Sequence, residues 1–332
     1  MKKSLKMLVL PAALWAAGAA AQSNVAVYGI VDVGLVRESG TPTGKVTNVN
    51  SGLASGSRLG FKGVEDLGGG MKANFVLENG FNADTGIAGQ GGLLFGRQAF
   101  VGLTGQFGAV TLGRQYSPYY KALRDVGDPF GAVSLAGRAG NLMATNTRTD
   151  NMVEVVTPEL AGFSADLAYG AGETAGDNAR NRMLGGALVY AGGPLRTQLA
   201  FHQINNPTAT DHVNNTMLVA SYDFGTLIVH AAGAVNRGPG LEDSRDLTAG
   251  VTVPFGVHKV LFSAVRHDDR TKPNKDAQQW GIAYLRALSK RTDLYASYAT
   301  IANRNGANFK VGNATDKGTG SRALDLGLRH TF

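Results

Sequence analysis

The residues that could do chemistry in this chain are few and poorly spaced for catalysis. Six histidines (His202, His212, His230, His258, His267 and His330) fall in no H-E-x-x-H pattern, and only His267 has acids beside it, Asp268 and Asp269. A helical zinc site needs two histidines four residues apart on one face, and that spacing is missing. Cysteine is absent, which removes thiolate ligands, cysteine nucleophiles and disulfides together. No G-x-S-x-G elbow occurs, although the serine, histidine and acid of a barrel enzyme can be distant in sequence. Gly170-Ala171-Gly172-Glu173-Thr174-Ala175 has the letters of a dinucleotide fingerprint. It fails on context, because a phosphate cradle needs a helix to follow and Gly176 to Arg182 is polar without apolar helical period. We therefore expect no enzymatic activity, no cofactor and no resident metal.

The remaining chemistry is that of charge in water, and the elements around it set where that charge stands. Only 17% of the 332 residues are charged and 46 are Gly, against roughly 25% charge and 7% Gly in ordinary soluble domains. Disorder needs more charge and fewer aromatics, and a helical membrane protein needs several apolar runs of roughly 20 residues. Only the start comes close. Lys2, Lys3 and Lys6 precede an apolar run from Met7 to Ala17 and an Ala19-Ala20-Ala21 cleavage signal, so residues 1–21 read as a signal peptide removed before Gln22. Taking away those three lysines reduces the formal charge from +7 to +4, which gives no reason to expect nucleic acid as a partner.

The mature chain, 22–332, is written in period two. Leu324, Leu326, Leu328, His330 and Phe332 share one face of the last segment, with Ala323, Asp325, Gly327, Arg329 and Thr331 on the other. Met71, Ala73, Phe75 and Leu77 alternate with Lys72, Asn74, Val76 and Glu78 in the same way, as half-buried strands do. Seven short connectors, among them Gly105 to Gly108 and Gly192 to Pro194, alternate with eight long polar ones, among them Glu38 to Gly56 and Asn303 to Ser321. Fifteen connections make sixteen strands. An exported, even-numbered antiparallel array with short turns on one side and long loops on the other is the pattern of an outer-membrane barrel, all-β and closed. Tyr28, Phe61, Tyr169, Tyr190, Tyr222, Phe224, Trp280, Tyr284, Tyr295, Tyr298 and Phe332 stand near strand ends or on apolar faces, where interface girdles use them. A secreted β-sandwich leaves the loop asymmetry unexplained.

Specific stretches go further. QSNVAVYGIVDVG (22–34), SRLGFKGVEDLGGG (57–70), FGRQAFVGLTGQFGAVTLG (95–113), TPELAG (157–162), LSKRTDLYASY (288–298) and the terminal GLRHTF (327–332) resemble the general porins of β-proteobacteria. The resemblance spans the mature chain. It implies a homotrimer of sixteen-stranded barrels in the outer membrane of a Gram-negative bacterium, with short periplasmic turns, bathed by outer-membrane lipid and lipopolysaccharide. It also implies a water-filled channel for small hydrophilic solutes and ions. The third external loop, 117–146, would fold into the lumen and form the constriction. Wall arginines Arg58, Arg97, Arg114 and Arg148 would then face Asp125 and Asp128 of that loop. Lys121, Arg124 and Arg138 also lie in the loop, making seven basic groups against two acids and an expected weak anion selectivity. Parity puts Arg58 opposite Leu59 and Phe61, and Arg148, Asp150 and Glu154 opposite Val153 and Val155, on the lumenal side. Arg97 and Arg114 share parity with apolar neighbours and need a strand-end position or a bulge to face inward. The alternative is a barrel with a closed lumen whose loops bind another surface.

Overall fold

The computed structural model describes residues 24–41, 44–131, 133, 135–239, 243–311 and 320–332; the leader, 1–21, lies outside them. In chain order the strands are β1 (Asn24–Thr41), β2 (Gly44–Ser51), β3 (Arg58–Gly68), β4 (Met71–Gly80), β5 (Gln98–Gly105), β6 (Gly108–Tyr116), β7 (Arg148–Val156), β8 (Phe163–Gly170) and β9 (Met183–Gly192). β10 (Leu195–Asn205), β11 (His212–Asp223), β12 (Ile228–Arg237), β13 (Asp243–Phe255), β14 (His258–Asp269), β15 (Ala277–Ala287), β16 (Thr292–Asn303) and β17 (Arg322–Thr331) complete them. All belong to one sheet. It closes where β17 pairs back onto β1, with Ile30 opposite Thr331 and Ser39 opposite Arg322. On its other edge β1 takes β3 along Asn24 to Ile30 and β2 along Val33 to Thr41. β2 and β3 are therefore two pieces of one barrel strand, and the seventeen segments make sixteen barrel strands.

Closure gives every ladder N–H and C=O a partner without a free edge, which hydrocarbon requires. The faces are inverted relative to a soluble protein. Leu324, Leu326 and Leu328 point outward and are exposed, while Ala323 and Asp325 point inward and are buried. Outward aromatics pair near the short turns, Phe163 with Tyr190 at 4.7 Å between centroids and Tyr222 with Phe224 at 4.6 Å, as a girdle does. Tyr28 and Tyr295 leave that girdle: each turns inward and donates its hydroxyl to a carboxylate, Glu78 at 2.9 Å and Asp32 at 2.6 Å.

The connector 38–56 is mostly strand rather than loop. Glu38 to Val46 pair across a hairpin, and the chain breaks from the sheet only at 52–57. There Asp32 Oδ2 accepts the Ala54 and Ser55 N–H groups at 3.1 and 2.8 Å. The 117–146 connector contains no strand among its described residues and enters the barrel. Ser117 caps its short helix α1 (Pro118–Ala122), its Oγ accepting from Tyr120 N–H at 3.1 Å with Pro118 in the first turn. Tyr119, Ala122, Leu123 and Val126 pack on Ala187, Ala200, Met217, Val219 and Ala232 of β9 to β12. Phe130 and Leu135 pack against Leu261, Ala283, Leu285 and Tyr295 of β14 to β16. Each large apolar side chain so buried contributes roughly 1.5–3 kcal/mol, and the small inward residues of β9 to β15 leave the space for it. Gly281 and Gly137 meet so closely that a Cβ on Gly281 would strike the Gly137 Cα.

Candidate functional site

Because the loop fills the β9 to β16 side, the open space lies between it and the inner faces near β1, β3 and β17. That cavity measures about 760 Å³. Its wall is a guanidinium cluster built on two acceptors. Arg97 Nε donates to Glu78 Oε1 at 2.7 Å and its Nη2 to the Tyr116 hydroxyl at 2.8 Å. Arg58 Nη1 stands 3.7 Å from Glu78 Oε2. Arg148 donates from Nε to the Arg97 carbonyl at 2.7 Å and from Nη2 to the Tyr116 hydroxyl at 3.1 Å. Its guanidinium also lies 4.7 Å over the Tyr116 ring, a cation–π contact. Arg58 and Arg97 thus share one carboxylate, and the phenol holds Arg97 and Arg148 side by side.

The route inward differs for each arginine. Arg58 opens β3 on the lumenal parity, while Leu59 and Phe61 face outward. Arg97 lies one residue before β5 and is freed from that strand's alternation, although its N–H still reaches the Glu78 carbonyl at 3.1 Å. Arg114 sits in a register shift between Gly113 and Gln115, with Gly113 at φ +134°. The bulge does not bring it to the cavity: Arg114 Nε donates to the Gly96 carbonyl at 2.8 Å and Nη1 pairs with Asp150. Arg148 lines the cavity, the side its parity predicts, whereas for Asp150 simple parity fails. Asn151, at φ +52°, interrupts β7, so Asp150 leaves the lumenal row of Glu154 while Arg148 pairs in register with Tyr116.

Arg124 stands beside this cluster rather than across from it, its guanidinium 5.0 Å over the Tyr116 ring, and it holds Asp125 by two hydrogen bonds of 2.6 and 2.8 Å. Asp128 lines the cavity but spends its carboxylate within the loop. Its two oxygens accept the Phe130 and Ala139 N–H groups at 2.9 and 2.7 Å, which folds the loop on itself. Burial pushes its carboxyl up to about 6. Lys121 turns to the wall, with Nζ 2.7 Å from Glu154 and 2.6 Å from Asp166. Burial opposes its ammonium, but the Asp166 and Glu154 carboxylates outweigh that and hold its pKa above the ordinary lysine value.

Two further arginines line the cavity, Arg138 and Arg329. Arg329 shares the inward parity of Asp325 and Gly327, a signal present in the sequence; its Nη2 donates to Asp293 at 2.7 Å. Six lining guanidiniums (Arg58, Arg97, Arg124, Arg138, Arg148, Arg329) meet Asp125, Asp128, Glu78 and Asp293. The surplus is two positive charges, smaller than a count of loop and wall residues suggests, because Glu78 and Asp293 reach in from strands and Lys121 is taken up by Glu154 and Asp166. The arrangement can hold an electrostatic field and has no nucleophile paired with a base. Among the described residues no group of three His, Asp or Glu side chains could hold a metal ion.

A family profile for Gram-negative porins matches residues 7–329. The chain belongs to that family. Over the full length of both chains this porin is 33% identical to outer membrane porin protein 32 of Delftia acidovorans. It is 31% identical, also over both full lengths, to an outer membrane porin of Bordetella pertussis. An anion-selective porin from Comamonas acidovorans has the same barrel, with a TM-score of 0.83 at 28% identity, covering 94% of this porin and 100% of that one. The porin is thus a protein of the Gram-negative outer membrane, and its relatives are channels rather than enzymes.

Proposed function

We propose that this porin is a trimeric, water-filled channel through which small hydrophilic solutes and ions diffuse, with a weak preference for anions. The single observation that supports the preference is the Arg58, Arg97 and Arg148 cluster held around Glu78 and Tyr116 on one side of the lumenal cavity. A ring or wall of one sign raises the local concentration of the opposite ion without a binding step. The surplus is small, hence the weakness. The name of the Comamonas relative agrees in sign. The trimer comes from the family resemblance, and removal of residues 1–21 during export is part of the same reading.

Planar-bilayer recording of the purified mature chain under a salt gradient tests this. Closure in three equal steps with an anion-biased reversal potential is the expected result. Stable insertion without conductance would overturn the channel reading in favour of a plugged, surface-binding barrel. Deleting residues 127–137 should raise single-channel conductance, and an unchanged value would mean that the loop does not set the narrowest point.

A further inference from the structure

The inserted loop has two faces, and they carry different chemistry. Thr145 and Thr147 line the arginine cavity, whereas Leu142, Ala144 and Asn146 line a second cavity of about 520 Å³ against the long-loop ends of β11 to β14. Among the described residues no arginine lines that one. Its wall is a chain of amides. Asn146 Nδ2 donates to Asn215 Oδ1 at 2.9 Å and Asn215 Nδ2 to Asn236 Oδ1 at 2.7 Å. Asn236 Nδ2 then donates to Asp246 Oδ2 at 2.7 Å and to Ser244 Oγ at 3.0 Å, and His267 Nδ1 closes the chain on Asp246 Oδ1 at 2.6 Å. The ladders set this up: Asn215, Asn236 and Ser244 stand in one cross-strand row, and Asp246 faces His267 across β13 and β14. A network so connected holds its side chains in place before any solute arrives.

The chain leaves three groups without a partner among the described residues: the Asn146 Oδ1 acceptor, the Ser244 hydroxyl proton, and His267 Nε2, an acceptor while Nδ1 donates to Asp246. The carboxylates are already engaged. Asp246 is held on both oxygens, and Asp269 accepts the Thr271 and Lys275 N–H groups at 2.8 Å each. That leaves Asp243 and Lys275 on the lining, one charge of each sign. An aromatic ring completes the cavity. Phe309 lies 4.8 Å from the His267 ring, centroid to centroid, and Asn303 pins its backbone, accepting the Phe309 N–H at 3.1 Å and donating to the Phe309 carbonyl at 2.9 Å. A hydroxyl group both donates and accepts, so a polyol satisfies all three remaining groups, whereas an ammonium can use only the acceptors and a phosphate only the donor. A sugar ring adds an apolar C–H face for Phe309, in a cavity of the size small-molecule sites have.

We propose that this second cavity is a binding site for an uncharged sugar, held by Asn146, Ser244 and His267 over the Phe309 ring, on the face of the loop turned away from the arginines. It rests on the channel reading, since the solute reaches the site by entering the barrel. The test uses the purified mature porin in detergent, with sucrose as the probe followed by saturation-transfer NMR, and the same preparations in planar bilayers for salt conductance. Sucrose should bind the parent saturably. Phe309→Ala removes the ring from a loop position and should weaken binding roughly fivefold, the loss of one aromatic contact. Asn146→Gly, which the φ of +44° accommodates, removes one acceptor and should weaken it by a similar factor. Phe309→Ala should keep the parent's salt conductance, since Phe309 does not line the arginine cavity. Unsaturable transfer in the parent, or unchanged affinity in either variant, overturns the site. Displacement of sucrose by equimolar putrescine or inorganic phosphate also overturns it, because charge and not hydroxyl geometry would then select the ligand. Salt conductance without sucrose binding refutes the sugar site alone, whereas saturable sucrose binding without salt conductance refutes the channel reading alone.

Discussion

Arg148 and Arg114 are both arginines near the long-loop ends of adjacent strands, and the structure separates them sharply. Arg148 lines the cavity beside Arg97 and Tyr116, whereas Arg114 pairs with Asp150 and does not line it. Take an ion passing about 6 Å from the Arg148 guanidinium in water. The Coulomb energy is about 0.7 kcal/mol unscreened, and about 0.4 kcal/mol with the roughly 10 Å Debye length of 0.1 M salt. Arg148→Gln removes that attraction for anions and that repulsion for cations, so the anion-to-cation permeability ratio should fall roughly three- to fourfold. At 1 M salt the Debye length is about 3 Å and the same variant should shift the ratio by less than about 1.5-fold. Arg114→Gln should leave selectivity where it was at both salts. The assay is the reversal potential in planar bilayers across a salt gradient, measured at both mean concentrations. Equal shifts from the two variants, or a shift at Arg148 that survives 1 M salt, would refute the argument, because screening by lumenal water is what limits its size.

The loop offers further tests. Burial raises the Asp128 carboxyl from its ordinary 3.8 to about 6, so loop docking is strongest below pH 4 and weakens as pH rises through 6, by about 3 kcal/mol. Hydrogen-exchange protection of the Phe130 and Ala139 amides should fall across that window in the parent and stay flat in Asp128→Asn; parallel profiles would refute the assignment. Lys121→Met leaves Glu154 and Asp166 facing each other without their cation. With Lys121 only 26% exposed, α1 should lose about 3 kcal/mol of docking, read as faster exchange and a noisier open channel, and Lys121→Arg should restore most of it. Gly281→Val drives a side chain into Gly137 and should displace the loop tip, changing conductance without unfolding the barrel; an unaltered conductance would mean that the tip can yield.

The barrel itself was open to reading from the chain, and the reason is local. Alternation in a strand has a period of two residues, so Leu324 to Leu328 declare their outward face without knowledge of any partner. Glycine clusters mark the turns: Gly68, Gly69 and Gly70 all adopt positive φ, which other residues reach only with strain. Strand ends read this way fall within a few residues of those observed, and the one large departure is the connector 38–56. Its hairpin pairs residues whose polar composition resembles a loop, and only the neighbouring sheet edge makes a strand of them.

What tertiary structure alone decided is the charge at the centre. Glu78, Glu154 and Asp166 lie on three different strands, and their partners Arg97 and Lys121 are 19, 33 and 45 residues away from them in sequence. Charge in a lumen is a sum over whatever the closed wall brings within a few ångströms, so counting basic residues along the chain overstates the surplus. The same holds at Arg114 and Asp150, whose fates turn on a shift at Gly113 and a positive φ at Asn151. A period read locally carries no information about where the register slips, because a slip is settled by the strand alongside.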